Sequence, residues 1–334
     1  MRSFPVVTGT AELIEDGDID ALVAHVVSCA LDDRWADVVD LRDRCLGAAV
    51  RGKQLWPAAA YAEYRMALDG PAALSASVLD SNLSRFALGP FTEVAAQEHR
   101  WADLTTHFGA VSMPAQAAFA QERVIRGEDL REDDTALLSR AVYELPLVTL
   151  SWEPAYPTAE YGPDSARFPL SPPPVSGRAQ SSARGRIVSD PDVLDALREL
   201  AMAWANGSNG RVEAAAVEGD AAAAVASFGL SATRLTPIKP ASALAAMAWA
   251  AANGGAHGRR SGMAAGRSRA WWAAAQLSGV DLDPLDGDEL GAAIDELAWF
   301  AWDDGAPATG WALRLAVQDS AAGLAWAIAA IDAT

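Results

Sequence analysis

The chain has 334 residues, 44 acids against 26 bases, a net charge of −18 and 51% hydrophobic residues. That much apolar side chain supports a sizeable core and excludes wholesale disorder. The excess of acids excludes a protein whose main task is coating nucleic acid, because most of its surface would repel a polyphosphate. Ala fills 74 positions and Arg outnumbers Lys 24 to 2, a bias typical of a GC-rich genome that lowers the information in any single Ala or Arg. At roughly 150 residues per domain the length suggests two domains.

The first 145 residues read as helix after helix. Residues 18–31 place Ile19, Leu22, Val23, Val26 and Val27 at helical spacing, and 34–50 repeat the pattern with Trp35, Val38, Val39, Leu41 and Cys45. Further helices are expected near 55–68, 71–86, 91–106, 113–126 and 134–143. Gly52, Gly70, Gly89, Gly109 and Gly127 fall at or near the breaks. Helices of this length joined by short turns pack antiparallel, so a stack of helical hairpins is expected. The segment LWPAAAYAEYRMAL, with Trp56, Tyr61 and Tyr64, resembles a helix of a HEAT- or TPR-like solenoid. The resemblance covers about 130 residues, implies shape alone and carries no catalytic residue.

Eight of the 18 prolines lie between Pro146 and Pro174, and SGRAQSSARGR follows. Helices cannot run through such a stretch. Residues 146–187 are therefore expected as a linker, preceded by 1–145 as an all-helical domain and followed by 188–334 as a second domain. LVTLSW (147–152) is a candidate short strand. Ser189-Asp190-Pro191 starts a helix expected to reach about Ala205. Then come a strand at 211–219, helices at 220–228, 241–252, 264–278 and 287–298, a strand at 311–319 and a final helix at 320–331. Residues 297–303 read equally as helix tail or strand. The fold class is thus mainly α: helical hairpins, then a small α+β domain with two or three strands, rich in Trp and Ala.

Cys29 and Cys45 are the only cysteines, so no disulfide framework and no four-cysteine metal site is expected; free thiols on neighbouring helices are the favoured reading. The N-terminus lacks an apolar run before Glu12, so no secretory signal is expected. The longest uncharged stretch, Pro240 to Gly258, is mostly Ala and Gly and reads as a buried helix and loop rather than a membrane span. A cytoplasmic protein follows as the expectation.

Charge is distributed unevenly. Residues 221–280 hold six bases and no acid, whereas 281–334 hold one base and eleven acids. The bases concentrate in a Gly-rich run containing His257, Arg259, Arg260, Ser261, Arg267, Ser268 and Arg269, followed by Trp271 and Trp272, with glycines at 254, 258, 262 and 266. Four glycines disfavour a continuous helix, so a loop opening into a helix near 263–266 is expected. Such a helix N-terminus, with guanidinium donors beside it, suits a phosphate, sulfate or carboxylate. The candidate anion site is Arg259, Arg260, Arg267, Arg269, Ser268 and Trp271, with His257 the candidate acid or base. The simpler reading pairs the arginines with Asp281, Asp283, Asp286, Asp288 and Glu289 and leaves His257 structural or exposed. The spacing matches neither a Walker A loop nor a dinucleotide fingerprint.

No histidine pattern suits a transition metal, and Asp286, Asp288 and Glu289 read as a helix cap rather than a calcium loop. The eight tryptophans between 204 and 326 read as volume for an Ala-rich core. No metal and no cofactor are expected. The function expected is a non-catalytic binding or scaffold protein with a protein partner on its helical surface. The alternative is an enzyme acting on an anionic small molecule through His257. Local nucleic-acid contact is a third reading, opposed by the net charge.

Overall fold

The computed structural model describes residues 10–133, 145–169, 173–180, 183–230, 232–281, 286–305 and 310–333. These residues are mainly α, with fourteen α-helices among them and an antiparallel sheet in the C-terminal part. They form two compact units, Met1–Phe119 with Glu160–Arg167, and Ala120–Ala159 with Phe168–Thr334.

The first unit begins with α1 (Thr10–Asp16), α2 (Ile19–Leu31) and α3 (Trp35–Val50). Leu22, Val26 and Cys29 bury one stripe of α2, and Val38, Leu41, Cys45 and Ala48 one stripe of α3, both at the expected helical spacing. Asp18 caps α2 by accepting from the Ala21 amide at 3.0 Å. These stripes pack on α4 (Trp56–Asp69), which is buried on nearly every side by α2, α3, α5 (Ala72–Val78) and α6 (Phe91–Glu98). The helix expected at 71–86 stops at Val78 and resumes as a short 3₁₀ turn, Asn82–Phe86. The one expected at 91–106 breaks at His99, giving α6 and α7 (Trp101–Thr105). Next comes α8 (Met113–Ile125); the helix expected at 134–143 lies outside the described residues.

Cys29 and Cys45 are free and buried. Burial pushes the Cys45 thiol up to about 11, which keeps it protonated and unreactive.

Residues 146–187 contribute buried side chains to both units. Glu153 and Tyr156 are buried in the second unit, whereas Tyr161 is buried in the first, within a hairpin of β1 (Glu160–Tyr161) and β2 (Ala166–Arg167). Proline excludes helix there but not burial. The strand expected at 147–152 does not form; those residues make turns and irregular backbone.

The second unit holds more sheet than the two or three strands expected. Among the described residues, β3 (Arg186–Ile187), β4 (Arg211–Glu218), β5 (Arg234–Ile238), β6 (Ala298–Asp303), β7 (Trp311–Asp319) and β8 (Leu324–Asp332) form one antiparallel sheet in the order β3-β4-β8-β7-β6-β5. Residues 297–303 resolve as strand. The final helix expected at 320–331 is instead β8, a central strand paired along its length with β4 and β7. A strand buried on both faces needs no alternation, so LAWAIAAID could not be told from a helix by periodicity.

One sheet face carries Leu313, Leu315, Val317, Trp326 and Ile328 against α9 (Pro191–Glu199), α12 (Pro240–Ala252), α13 (Met263–Ser278) and α14 (Gly287–Glu296). The other carries Val217, Trp302, Ala316 and Ala325 against α11 (Ala221–Ala226). The helix expected from 191 to 205 is interrupted at Leu200 and Ala201, so α10 (Met202–Gly207) is separate. Trp204, Trp249, Trp271, Trp299, Trp302 and Trp326 are all buried, supplying volume that Ala cannot.

Candidate functional site

The acid-free segment folds as expected locally: a loop after α12, then α13, with Gly262 as the N-cap of that helix. The loop is closed on itself. A Cβ on Gly258 would collide with the Gly254 carbonyl, so only glycines permit this approach. Within α13, a Cβ on Gly266 would run into the Ala248 carbonyl and lie 3.0 Å from the Ala252 Cβ, so Gly266 lets α13 lie against α12 backbone to backbone. Asn253, buried, anchors the loop: its Oδ1 accepts from Arg260 Nη1 at 2.7 Å, and its backbone carbonyl accepts from Trp204 Nε1 at 3.0 Å.

The arginines do not share one cleft. Arg267 is wholly buried and pairs with Glu153, also wholly buried, at 2.6 and 2.8 Å. Its other donors reach Gln121 Oε1 at 2.6 Å, the Pro146 carbonyl at 3.0 Å and the Val148 carbonyl at 3.1 Å. A guanidinium has five N–H donors, and these bonds use every one. Glu153 is matched as fully, also accepting from the Leu150 amide, the Tyr156 hydroxyl and Trp271 Nε1. Trp271 therefore belongs to this buried network, its ring tilted at 41° against that of Trp152 with centroids 4.9 Å apart.

Arg269 donates to the Ala251 carbonyl at 2.7 Å and lies 3.9 Å from Glu199. Arg260 rests over the Phe168 ring at 4.5 Å. Arg259 and His257 are exposed, Ser268 half-buried; the His257 amide donates to Ser208 Oγ. Arg267 and Arg269 thus take partners other than the acids of 281–289, because α13 turns those two side chains toward 146–153 and α9. Asp286 instead caps α14 through the Asp288 and Glu289 amides, as the spacing suggested.

The N-terminus of α13 does attract an anion, and the protein supplies it. Glu122 Oε1 accepts the Ala264 amide at 2.8 Å while Oε2 meets Arg126 Nη1 at 3.2 Å, with the carboxylate almost wholly buried. A helix N-terminus beside a guanidinium, here that of Arg126, holds a carboxylate. Its source lies 142 residues earlier in the chain, beyond the reach of any local motif.

Burial by itself would raise the Glu153 carboxyl, but the hydrogen bonds and charge of Arg267 outweigh it and hold it below the usual carboxylate range. A group whose folded value is lowered contributes stability that is complete above its ordinary value of 4.5 and is lost as pH falls through the folded value. The stability difference between wild type and Glu153→Gln should therefore be largest above pH 4.5 and shrink on acidification. Urea unfolding at stepped pH checks this, and a difference that grows toward low pH would contradict it.

A second feature, in the first unit, has the shape of a binding surface. A groove of ≈ 390 Å³ is lined by Trp56, Tyr61, Tyr64, Phe86, Leu88 and Asp164, among others. Trp56 and Phe86 touch at a centroid separation of 4.0 Å, and Phe86 and Leu88 are 38% and 40% exposed. The hairpin 160–167 builds one rim. Tyr64 donates to the Gly162 carbonyl at 2.6 Å, Tyr61 to Asp164 at 3.3 Å, and Tyr161 to Glu93 at 2.6 Å. Gln97 exchanges two bonds with the Tyr161 backbone, fixing the hairpin's register on α6. The aromatic helix carrying Trp56, Tyr61 and Tyr64 stood out in the sequence, but nothing local announced Phe86, Leu88 or Asp164 as their neighbours.

No group of three His, Cys, Asp or Glu suited to a metal ion occurs among the described residues, and no helix there is long and apolar enough to cross a membrane. No curated protein and no solved structure matches the chain. Residues 20–333 match the model of a family of unknown function, DUF6183, and the chain belongs to that family.

Proposed function

We propose that this chain is a non-catalytic binding protein, acting in the cytoplasm, that takes a protein partner on its helical first unit. Its helices there would serve as stacked hairpins of HEAT- or TPR-like shape. The aromatic groove carries the reading: Trp56 and Tyr61 line it with half-buried rings, exposed Phe86 packs on Trp56 with Arg85 over its ring, Leu88 extends the apolar rim, and Asp164 stands beside them as a carboxylate for a basic partner residue. Aromatic side chains supply large contact area with little rotamer freedom to lose, which is why they dominate the energetics of protein interfaces. Two buried free thiols suit a reducing compartment.

An enzyme acting on an anionic small molecule through His257 finds no comparable support. Every Arg267 donor and the α13 N-terminus already hold protein groups.

The test is recovery of partners from cell extract with the full chain and with Trp56→Ala/Phe86→Ala, followed by affinity measurement on the purified partner. Removing two central aromatic anchors should cost at least about 2 kcal/mol, roughly thirtyfold in Kd, with little change in melting temperature. Recovery of no partner, or equal affinity for both proteins, would overturn the proposal.

A further inference from the structure

The sheet has an open edge. β4 pairs with β8 from Arg211 to Glu218, but on its other side β3 covers only Val217 and Glu218, with one more bond from the Val188 amide to the Ala216 carbonyl. Beyond Val188 the chain leaves to begin α9 at Pro191. In an antiparallel strand, residues alternate between the two neighbours. Ala216 faces the β3 side, so Val212 and Ala214 point their amide and carbonyl groups to the same side. Among the described residues neither has a partner there.

Beside this edge lies a slot of ≈ 450 Å³, bounded by Ile187 at one end, Leu194 and the Arg198 stem on the α9 side, and Phe228 on the α11 side. Ile187 is 75% exposed, and Arg198 is held by Asp195 at 2.8 Å. The slot continues the row that β3 starts and leaves.

We propose that the β4 edge binds an extended peptide that adds a strand antiparallel to it, with a basic residue opposite Glu213, an acidic residue opposite Arg211 and apolar residues opposite Val212 and Ala214. Direction follows from β3, whose row the peptide continues. Side-chain chemistry follows from the pleat. Val212 and Ala214 pack toward the apolar core under α9, whereas exposed Arg211 and Glu213 lie on the opposite face. Opposite charges placed directly across a strand pair stabilise it, and like charges oppose it. The same rule disfavours a second copy of this chain. The register that matches Val212 with Ala214 across a twofold would set Glu213 against its own copy, a charge of the kind edge strands use to prevent self-pairing.

The experiment is fluorescence anisotropy of the full chain with a labelled octapeptide of core Val-Lys-Val-Glu, and with its twin in which Lys and Glu are exchanged. Wild type should prefer the first by about five- to tenfold, the effect of two reversed cross-strand charge pairs. Arg211→Glu/Glu213→Arg should invert that preference. Val212→Pro removes one outward amide and leaves the bonds to β8 intact, so it should weaken binding at least several-fold without lowering the melting temperature. The proposal is overturned if neither peptide binds wild type, if the double reversal leaves the preference unchanged, or if the chain self-associates through this edge instead.

Discussion

Arg267→Ala should destabilise the protein by about 3–5 kcal/mol, the usual cost of removing one partner from a buried ion pair. The variant would leave the Glu153 carboxylate in a site with no access to water, along with unmatched groups on Gln121, Pro146 and Val148. Two observations favour the upper part of that range: both side chains are wholly buried, and every donor of the guanidinium is used. Replacing both partners by apolar residues of similar size, as in Glu153→Leu/Arg267→Met, should cost less than the single change, because no unpaired charge remains. Chemical denaturation of the three proteins decides it. A loss below about 1 kcal/mol for Arg267→Ala would mean the arginine is not the structural centre described above.

Glu122→Ala should cost about 2–4 kcal/mol, because it leaves the first-turn amide of α13 and the Arg126 guanidinium without their shared anion. The vacated position is then an anion pocket. Sulfate or phosphate should raise the melting temperature of the variant in proportion to the logarithm of concentration once it exceeds Kd, and raise that of wild type far less. Equal responses of the two proteins would show that the carboxylate is not the internal occupant of the helix terminus.

Legibility in the sequence tracked the range of the interaction. The stripe Leu22, Val26, Cys29 and the cap Asp286 are set by residues within two turns of a helix, and both were readable. So was the helix start at Gly262 after a glycine-rich loop. Its partners were not. Glu122 and Glu153 sit 142 and 114 residues away from the groups they satisfy, and their local sequence marks neither as buried. β8 failed for another reason: a fully apolar strand has no alternation to betray it, and Ala-rich composition favours helix wherever packing does not decide. The groove combined both limits. Trp56, Tyr61 and Tyr64 were visible as an aromatic helix face, while Asp164 and Phe86 arrive through the hairpin and the 3₁₀ turn. Proline density between 146 and 174 suggested a connection, yet Tyr156 and Tyr161 show that non-helical backbone can be core when its side chains are.

Hydrogen–deuterium exchange of the full chain, alone and with its purified partner, locates the occupied surface without altering a residue. Partner binding should protect 55–64, 83–88 and 160–167 and leave 254–269 unchanged. Protection confined to 254–269, with the groove exchanging as in the free protein, would contradict the proposal and return the binding function to the arginine loop.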